Sequence, residues 1–320
     1  MTGVPRPSTD PEDLLAGARG GDRGALARLV SMVERGGADA AAIARLAHPL
    51  AGSASTIGIT GAPGAGKSTL TSALVAEIRR AGERVAVLAV DPSSPFSGGA
   101  ILGDRVRMGE HALDDEVFIR SMATRGHLGG LSLAVPQAVR VLDAVGIPWI
   151  VVETVGVGQV EVEVAAEADC TVVVVNPGWG DAVQASKAGL MEIADVFVVN
   201  KADRPGADEA RSDLERTLSM GHHDRRPPVL CTVATTGDGV AELWQAVRDE
   251  VGAALEDGRR AQRRRARDEA ELRRVVSARL EERVAAVAAG TPWREAVDAV
   301  AARRSDPWTV ADELLAELDR

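Results

Sequence analysis

Seven short runs of apolar, β-favouring residues recur between Ser55 and Val251, and helix-length segments separate them. The runs cover residues 56–60, 84–90, 117–119, 149–152, 171–175, 196–199 and 229–233. Strands that are apolar throughout are typical of a sheet buried on both faces, and such sheets are built from parallel strands joined by helical crossovers. The sequence therefore predicts an α/β fold with a mainly parallel sheet flanked by helices.

Helical patterns flank this central region. Asp22 is placed to cap a helix that carries apolar residues at three- and four-residue spacing, namely Leu26, Leu29, Val30 and Val33. We expect an N-terminal helical arm at 1–52, a central sheet domain at 53–256 and a C-terminal helical extension at 257–320.

The C-terminal extension has two notable patterns. A long Arg- and Glu-rich helix carries an apolar stripe that needs a partner, formed by Leu272, Val275, Val276, Leu280, Val284 and Val287. The basic run at 259–267 is interpreted as the solvated face of this helix rather than as a nucleic-acid patch.

Composition excludes several classes of function. The 37 basic and 47 acidic residues give a net charge of −10, which disfavours general affinity for nucleic acid or anionic membranes. Cys170 and Cys231 lie in apolar runs without metal-like or redox-like neighbours, so we expect both to be buried, reduced thiols. No hydrophobic signal region precedes Asp10, and no apolar stretch approaches the ~20 residues that span a bilayer. We expect a cytoplasmic protein with no nucleic-acid or membrane partner.

A phosphate-binding motif follows the first apolar run. Its residues, followed by Thr69, are Gly61, Ala62, Pro63, Gly64, Ala65, Gly66, Lys67 and Ser68, which fit G-x-x-x-x-G-K-[ST]. Glycines there let backbone N–H groups turn toward phosphate oxygens at a helix N-terminus, while Lys67 can reach the β and γ phosphates and Ser68 can hold Mg²⁺. The motif predicts a P-loop.

Asn200, Lys201, Ala202 and Asp203 form N-K-x-D after another apolar run. The Asp203 carboxylate can accept hydrogen bonds from guanine N1–H and the exocyclic amine, a donor pair that adenine lacks. Alone, the tetrapeptide is equally compatible with a helix cap or a turn, but together with the P-loop it favours GTP over ATP. Val233, Ala234 and Thr235, after the last run, occupy the place of a loop that supports guanine.

Three acidic residues follow apolar strands or lie in a long loop near the P-loop. Asp91 and Glu153 each end a strand, and Asp104 lies in the loop at 93–107. Any one of them can be a helix cap, but carboxylates at the carboxyl ends of parallel strands beside a P-loop are typical Mg²⁺ ligands. With Ser68, they are the predicted metal site, and with Lys67 they are the predicted catalytic residues.

Residues 153–156 resemble a D-x-x-G switch with Glu153 in place of the Asp, in which the Gly156 N–H senses the γ-phosphate. The position after this glycine is Val157, so no Gln directly follows to orient water. Gln159 can substitute, or it can have a structural role. We therefore predict slow intrinsic hydrolysis until a partner completes the site.

These residues resemble the methylmalonyl-CoA mutase-associated GTPases, the MeaB or ArgK family within the G3E class of P-loop GTPases. The resemblance runs from about Leu26 to Leu318 and rests on the strings at 61–69, 90–96, 98–105, 125–130, 153–159, 191–195 and 306–309. It implies a GTP-hydrolysing chaperone of adenosylcobalamin-dependent acyl-CoA mutases, which gates cofactor delivery and protects the mutase.

The resemblance also implies roles for particular residues. Lys67 and Ser68 would bind phosphate and Mg²⁺, Asp203 would read guanine, and a further switch loop carrying Asp181, Gln184 and Lys187 would relay the nucleotide state to the mutase. Without the resemblance, the residues favour Asp181 as a helix-start cap and Lys187 as an exposed charge. Trp179 departs from the small residue expected in this loop. Family members are homodimers through C-terminal helices, which would give the apolar stripe its partner.

Three rival functions remain open. A metallochaperone GTPase is one, although its relatives usually carry His-rich or Cys-x-x-Cys segments, which the sequence lacks. A kinase acting on a transport protein is another. The third is a nucleotide-binding P-loop protein without turnover.

Overall fold

The computed structural model describes residues 8–92, 109–111, 113–124, 134–154, 165–178, 184–220 and 225–318. Seven strands within them form one sheet: β1 (Ser55–Gly61), β2 (Val85–Pro92), β3 (Val117–Thr124), β4 (Trp149–Thr154), β5 (Cys170–Val175), β6 (Val196–Asn200) and β7 (Val229–Thr232). Their order is β3-β2-β4-β1-β5-β6-β7, and every pairing is parallel. The predicted parallel α/β sheet is confirmed.

Eleven α-helices are described within the same residues. They are α1 (Pro11–Arg19), α2 (Arg23–Arg35), α3 (Gly37–Ala47), α4 (Lys67–Arg80), α5 (Ala134–Ala144), α6 (Gln184–Ile193), α7 (Ala207–Met220), α8 (Val240–Glu256), α9 (Arg259–Ala288), α10 (Thr291–Ala301) and α11 (Pro307–Leu318). Two short 3₁₀ turns are also described, one at His48–Leu50 after α3 and one at Gly109–His111 between β2 and β3.

Alternate residues of the central strands pack into different apolar clusters. On β5, Val172 and Val174 join the cluster with α4 and α8, whereas Val173 and Val175 join the one with α6 and α7. All four valines are buried because helices cover both faces of the sheet. This two-sided burial explains the continuous apolar runs.

The N-terminal helices are part of the sheet's core. Asp22 accepts hydrogen bonds from the backbone N–H groups of Gly24 and Ala25, 2.8 and 3.0 Å, and so caps α2 as its sequence indicates. Leu29 and Val30 of this helix are completely buried, in one cluster with α1, α3, α5 and the neighbouring strands β3, β2 and β4. The N-terminal segment therefore closes one face of the sheet.

The chain separates into two compact units, residues 1–267 and 268–320. The first unit ends with the opening turns of α9. Four arginines of these turns face the edge of the sheet at which the strands begin: Arg260, Arg263, Arg264 and Arg267. The side chains of Arg260 and Arg267 are only 12% and 14% exposed. The interpretation of 259–267 as a solvated face is therefore wrong for these arginines, whose carboxylate partners lie far away in the sequence.

Two aspartates receive the arginines. Arg263 holds Asp195, just before β6, through two nitrogens at 2.6 and 2.9 Å. Asp169, just before β5, pairs with Arg260 at 3.6 Å, with Arg264 at 3.2 Å and with Arg267. Burial alone would raise the pKa of Asp169, but Arg267 and Arg264 lower it below its ordinary value.

The second unit consists of the rest of α9 together with α10 and α11. Apolar side chains on α9 face solvent: Leu272 is 64% exposed and Leu280 is 54% exposed. A groove of about 510 Å³ lies among the three helices and is lined by apolar side chains, including Val284, Trp293 and Leu314.

Both cysteines are free thiols. Cys170 is buried, as predicted, and burial raises the pKa of its thiol well above the usual value. Cys231 is half-buried, so the prediction of a buried thiol is wrong there, because β7 lies at the edge of the sheet. Among the described residues, no helix is both long and apolar enough to cross a membrane.

Candidate nucleotide site

The loop between β1 and α4 has a shape that only glycine permits at two positions. Gly61 has φ +131°, and a Cβ there would lie 2.0 Å from the Val174 carbonyl oxygen of neighbouring β5. Gly66 has φ +91°, and its Cβ would lie 2.5 Å from Asn200 Nδ2. The loop therefore lies tightly against two strand ends.

The N-terminus of α4 is available to an anion. Gly66 is the N-cap residue and supplies no side-chain hydrogen bond, so the first-turn N–H groups lack a side-chain cap. The Lys67 ammonium lies over the same loop, donating to the Gly61 and Ala62 carbonyl oxygens at 2.8 and 3.0 Å. Backbone donors and a lysine together form a cradle for phosphate.

A buried carboxylate lies beside the start of α4. Ser68 Oγ donates to Glu153 Oε1 at 2.5 Å, and both side chains are buried. Glu153 reaches this point because β4 pairs with β1, with Glu153 opposite Ile59. A hydroxyl and a carboxylate oxygen at a P-loop are the hard oxygen ligands that Mg²⁺ prefers, so these residues fit the ion.

Other predicted switch residues are only partly covered by the structure. Asp91 lies at the carboxyl end of β2, which pairs with β4, so its backbone is at the same sheet edge as Glu153. Gln184 and Lys187 lie in α6. Asp104, Gly156 and Asp181 fall outside the described residues, as do Val157 and Gln159.

Asn200 joins the P-loop to the predicted guanine loop. Its Nδ2 donates to the Ala65 carbonyl oxygen at 2.8 Å, and its Oδ1 accepts from Thr232 Oγ1 at 3.1 Å and from Ala234 N–H at 3.2 Å. The side chain is buried. Sequence reasoning missed Thr232, although a hydroxyl residue ending a strand beside the N-K-x-D strand is a usable signal.

The remaining N-K-x-D residues extend from the end of β6. Lys201 has φ +61°, and its Nζ donates to the Gly64 carbonyl oxygen at 2.6 Å, so it covers the P-loop from the other side. Asp203 is exposed to solvent in the following turn. Val233 N–H bonds to the Asp238 carbonyl oxygen at 2.9 Å, which folds the predicted guanine loop, including Thr235, into a turn.

Three features together define a P-loop GTPase. They are the phosphate cradle after β1, the Mg²⁺-compatible Glu153 on β4 and the N-K-x-D turn after β6. The family model described as methylmalonyl Co-A mutase-associated GTPase MeaB matches residues 26–289. The chain belongs to this family.

Individual relatives agree with this assignment. The chain is 46% identical to a putative GTPase of Pyrococcus horikoshii over 96% of its length and 98% of that protein. It is 39% identical to the GTPase ArgK of Escherichia coli over 75% of its length and 76% of that protein. A solved structure described as an LAO/AO transport system kinase is 28% identical, with a TM-score of 0.71 over 99% of this chain and 100% of that one.

Proposed function

We propose that this protein is a GTP-hydrolysing chaperone of an adenosylcobalamin-dependent acyl-CoA mutase in the cytoplasm. The mutase would be methylmalonyl-CoA mutase or a relative, and the protein would gate its cofactor loading and protect it. The observation that carries the proposal is the match of a mutase-associated GTPase family to 26–289, a range that includes the whole candidate nucleotide site.

The described residues suggest how GTP is held. Lys67 would exchange its two carbonyl partners for phosphate oxygens and neutralise charge at the β,γ bridge. Ser68 and Glu153 would hold Mg²⁺, together with Asp91 and Asp104. When bound, Mg²⁺ supplies positive charge against the β and γ phosphates. Asp203, exposed beside the guanine loop, would accept the two guanine donors.

Hydrolysis by the isolated protein would be slow because Val157 follows Gly156, where a water-orienting Gln can stand. The partner would respond to the switch segment carrying Asp181, Gln184 and Lys187. GTP turnover is to be measured alone and with each acyl-CoA mutase of the host. We expect one mutase to accelerate it, and Lys67→Ala to abolish turnover in both conditions. Unchanged turnover with every mutase would overturn the chaperone proposal.

The partner switch has its own control. Lys187→Ala should retain intrinsic turnover and lose the acceleration by the mutase, because the charge acts on the partner rather than on GTP. Arg216→Ala removes a basic side chain from the exposed surface of α7 and should leave both rates unchanged. Equal acceleration of the Lys187 variant and the wild type would remove this lysine from the switch.

The kinase alternative can be tested through the preference between guanine and adenine nucleotides. Asp203→Asn should weaken binding of GTP selectively, because the amide cannot accept from both guanine donors. An enzyme that used ATP would be indifferent to the substitution. Competition between GTP and ATP for a fluorescent nucleotide separates the two cases, and Asp213→Asn on exposed α7 is the matched control.

We also propose a homodimer through the second unit. Leu272 and Leu280 are exposed on α9, and the apolar groove opens among the helices of the same unit. Exposed apolar surface of this kind marks interaction sites. Leu280→Glu should yield monomers in analytical ultracentrifugation. Ala285→Glu places the same charge about 140° around the helix and should leave the dimer intact. Dimers in both variants would refute this interface.

A further inference from the structure

The P-loop helix carries two serines on one side. Ser68 and Ser72 are four residues apart in α4, so their side chains lie one above the other, about 6 Å apart along the axis. Ser68 faces Glu153. Ser72 is also buried, and its partners come from the 3₁₀ turn Gly109–His111, which lies in the connection from β2 to β3.

The hydrogens in this second cluster can be assigned from chemistry. Ser72 Oγ donates its only hydrogen to Glu110 Oε1 at 2.7 Å. His111 Nε2 lies 3.0 Å from both Ser72 Oγ and the Ser72 carbonyl oxygen. Because a carbonyl oxygen can only accept, Nε2 carries a hydrogen and donates to both oxygens. Ser72 Oγ then donates to Glu110 and accepts from His111.

A second contact follows the same side of α4. Arg79 Nε donates to Asp114 Oδ2 at 2.9 Å, seven residues beyond Ser72 and therefore on the same helix face. This hydrogen bond, with the Glu116 backbone N–H, lowers the pKa of Asp114. The two contacts fix the end of the β2–β3 connection at two points along α4.

We propose that Ser72, Glu110 and His111 are positioning residues for Mg²⁺-bound nucleotide. The cluster holds the end of the β2–β3 connection one helical turn from Ser68. This connection begins just after β2, whose carboxyl end carries Asp91, and it includes Asp104 in its sequence. The inference rests on the proposed Mg²⁺ site. Loss of the cluster would loosen the connection and weaken Mg²⁺ binding, without removing a ligand of the ion.

The test measures release of a fluorescent GDP analogue over a range of Mg²⁺ concentrations. His111→Ala should raise the half-saturating Mg²⁺ concentration about tenfold, the effect of losing roughly one net hydrogen bond. Release in EDTA should match the wild type because the P-loop is intact. His111→Gln keeps a donor at similar reach and should behave nearly as the wild type.

Two further variants complete the experiment. Ser72→Ala should reproduce the effect of His111→Ala, and His48→Ala, which removes an exposed histidine from another 3₁₀ turn, should have none. Release from the wild type that ignores Mg²⁺ would overturn the Mg²⁺ site and this inference with it. If release from the wild type depends on Mg²⁺ and the His111→Ala and Ser72→Ala variants show the same Mg²⁺ dependence, the positioning role alone is overturned. A Gln variant as impaired as the Ala variant would refute the donor assignment.

Discussion

Asp169 offers a sharp test of the ion pairs that join α9 to the sheet. Its carboxylate is 1% exposed, pairs with Arg264 and Arg267, and accepts the Thr56 backbone N–H at 3.1 Å. Arg260 lies 3.6 Å from the same carboxylate. Asp169→Asn keeps the shape and one acceptor but leaves three poorly solvated guanidinium groups without their counter-charge. Removing one partner of a buried pair costs about 3–5 kcal/mol.

The expected loss lies at the lower end of this range, about 3 kcal/mol, because all three arginines keep other acceptors. Arg264 still donates to the Ala54 carbonyl oxygen at 2.6 Å, and Arg267 to the Glu167 carbonyl oxygen at 2.6 Å. With a urea m-value of about 3 kcal/mol per M, the unfolding midpoint should fall by about 1 M. Circular dichroism against urea provides the measurement.

The pH dependence of this loss has a definite sign. The folded pKa of Asp169 is lowered, whereas an unfolded Asp titrates near about 3.9. The folded state therefore binds this proton less readily, and the stabilisation is complete above about pH 5 and disappears as the pH falls through the folded pKa. The difference between wild type and Asp169→Asn should shrink over that interval.

Asp213→Asn is the control for the stability measurement. Asp213 is largely exposed and pairs with Arg216 at 3.2 Å, so its substitution should change the free energy of unfolding by less than about 0.5 kcal/mol. A loss below about 1 kcal/mol for Asp169→Asn, or a loss that stays constant down to pH 3, would refute the ion-pair argument.

Two further predictions concern the nucleotide site. Asn200→Ala should speed release of a fluorescent GDP analogue by about tenfold or more, since three hydrogen bonds between loops are lost, whereas Asn176→Ala, which removes a single bond to the Pro177 carbonyl oxygen, should have little effect. Gly61→Ala should prevent stable folding, because its Cβ would lie 2.0 Å from a carbonyl oxygen. Gly64→Ala has open space around its Cβ, so its positive φ should lower the free energy of unfolding by only about 1–2 kcal/mol. Thermal melting measures both effects.

The sheet and the P-loop could be predicted from sequence because each has a local cause. Two-sided burial gives continuous apolar runs, and phosphate binding needs glycines and a lysine at fixed spacing. The buried ion pairs of the α9 arginines could not be predicted, because Asp169 and Asp195 lie far from α9 in the sequence. The spacing of Arg260, Arg263 and Arg267 nevertheless matches one helix face, a pattern as consistent with contact as with solvent.

Two residues of N-K-x-D have different tasks, and their environments separate them. Asn200 is buried, and the hydrogen bonds of its amide run to the P-loop and to the end of β7. It therefore supports the shape of the site for any nucleotide. Asp203 is exposed and open to a base. Substitution of Asn200 should weaken GTP and ATP analogues alike, whereas substitution of Asp203 should alter the preference between them. A purely guanine-selective defect in Asn200→Ala would contradict this division.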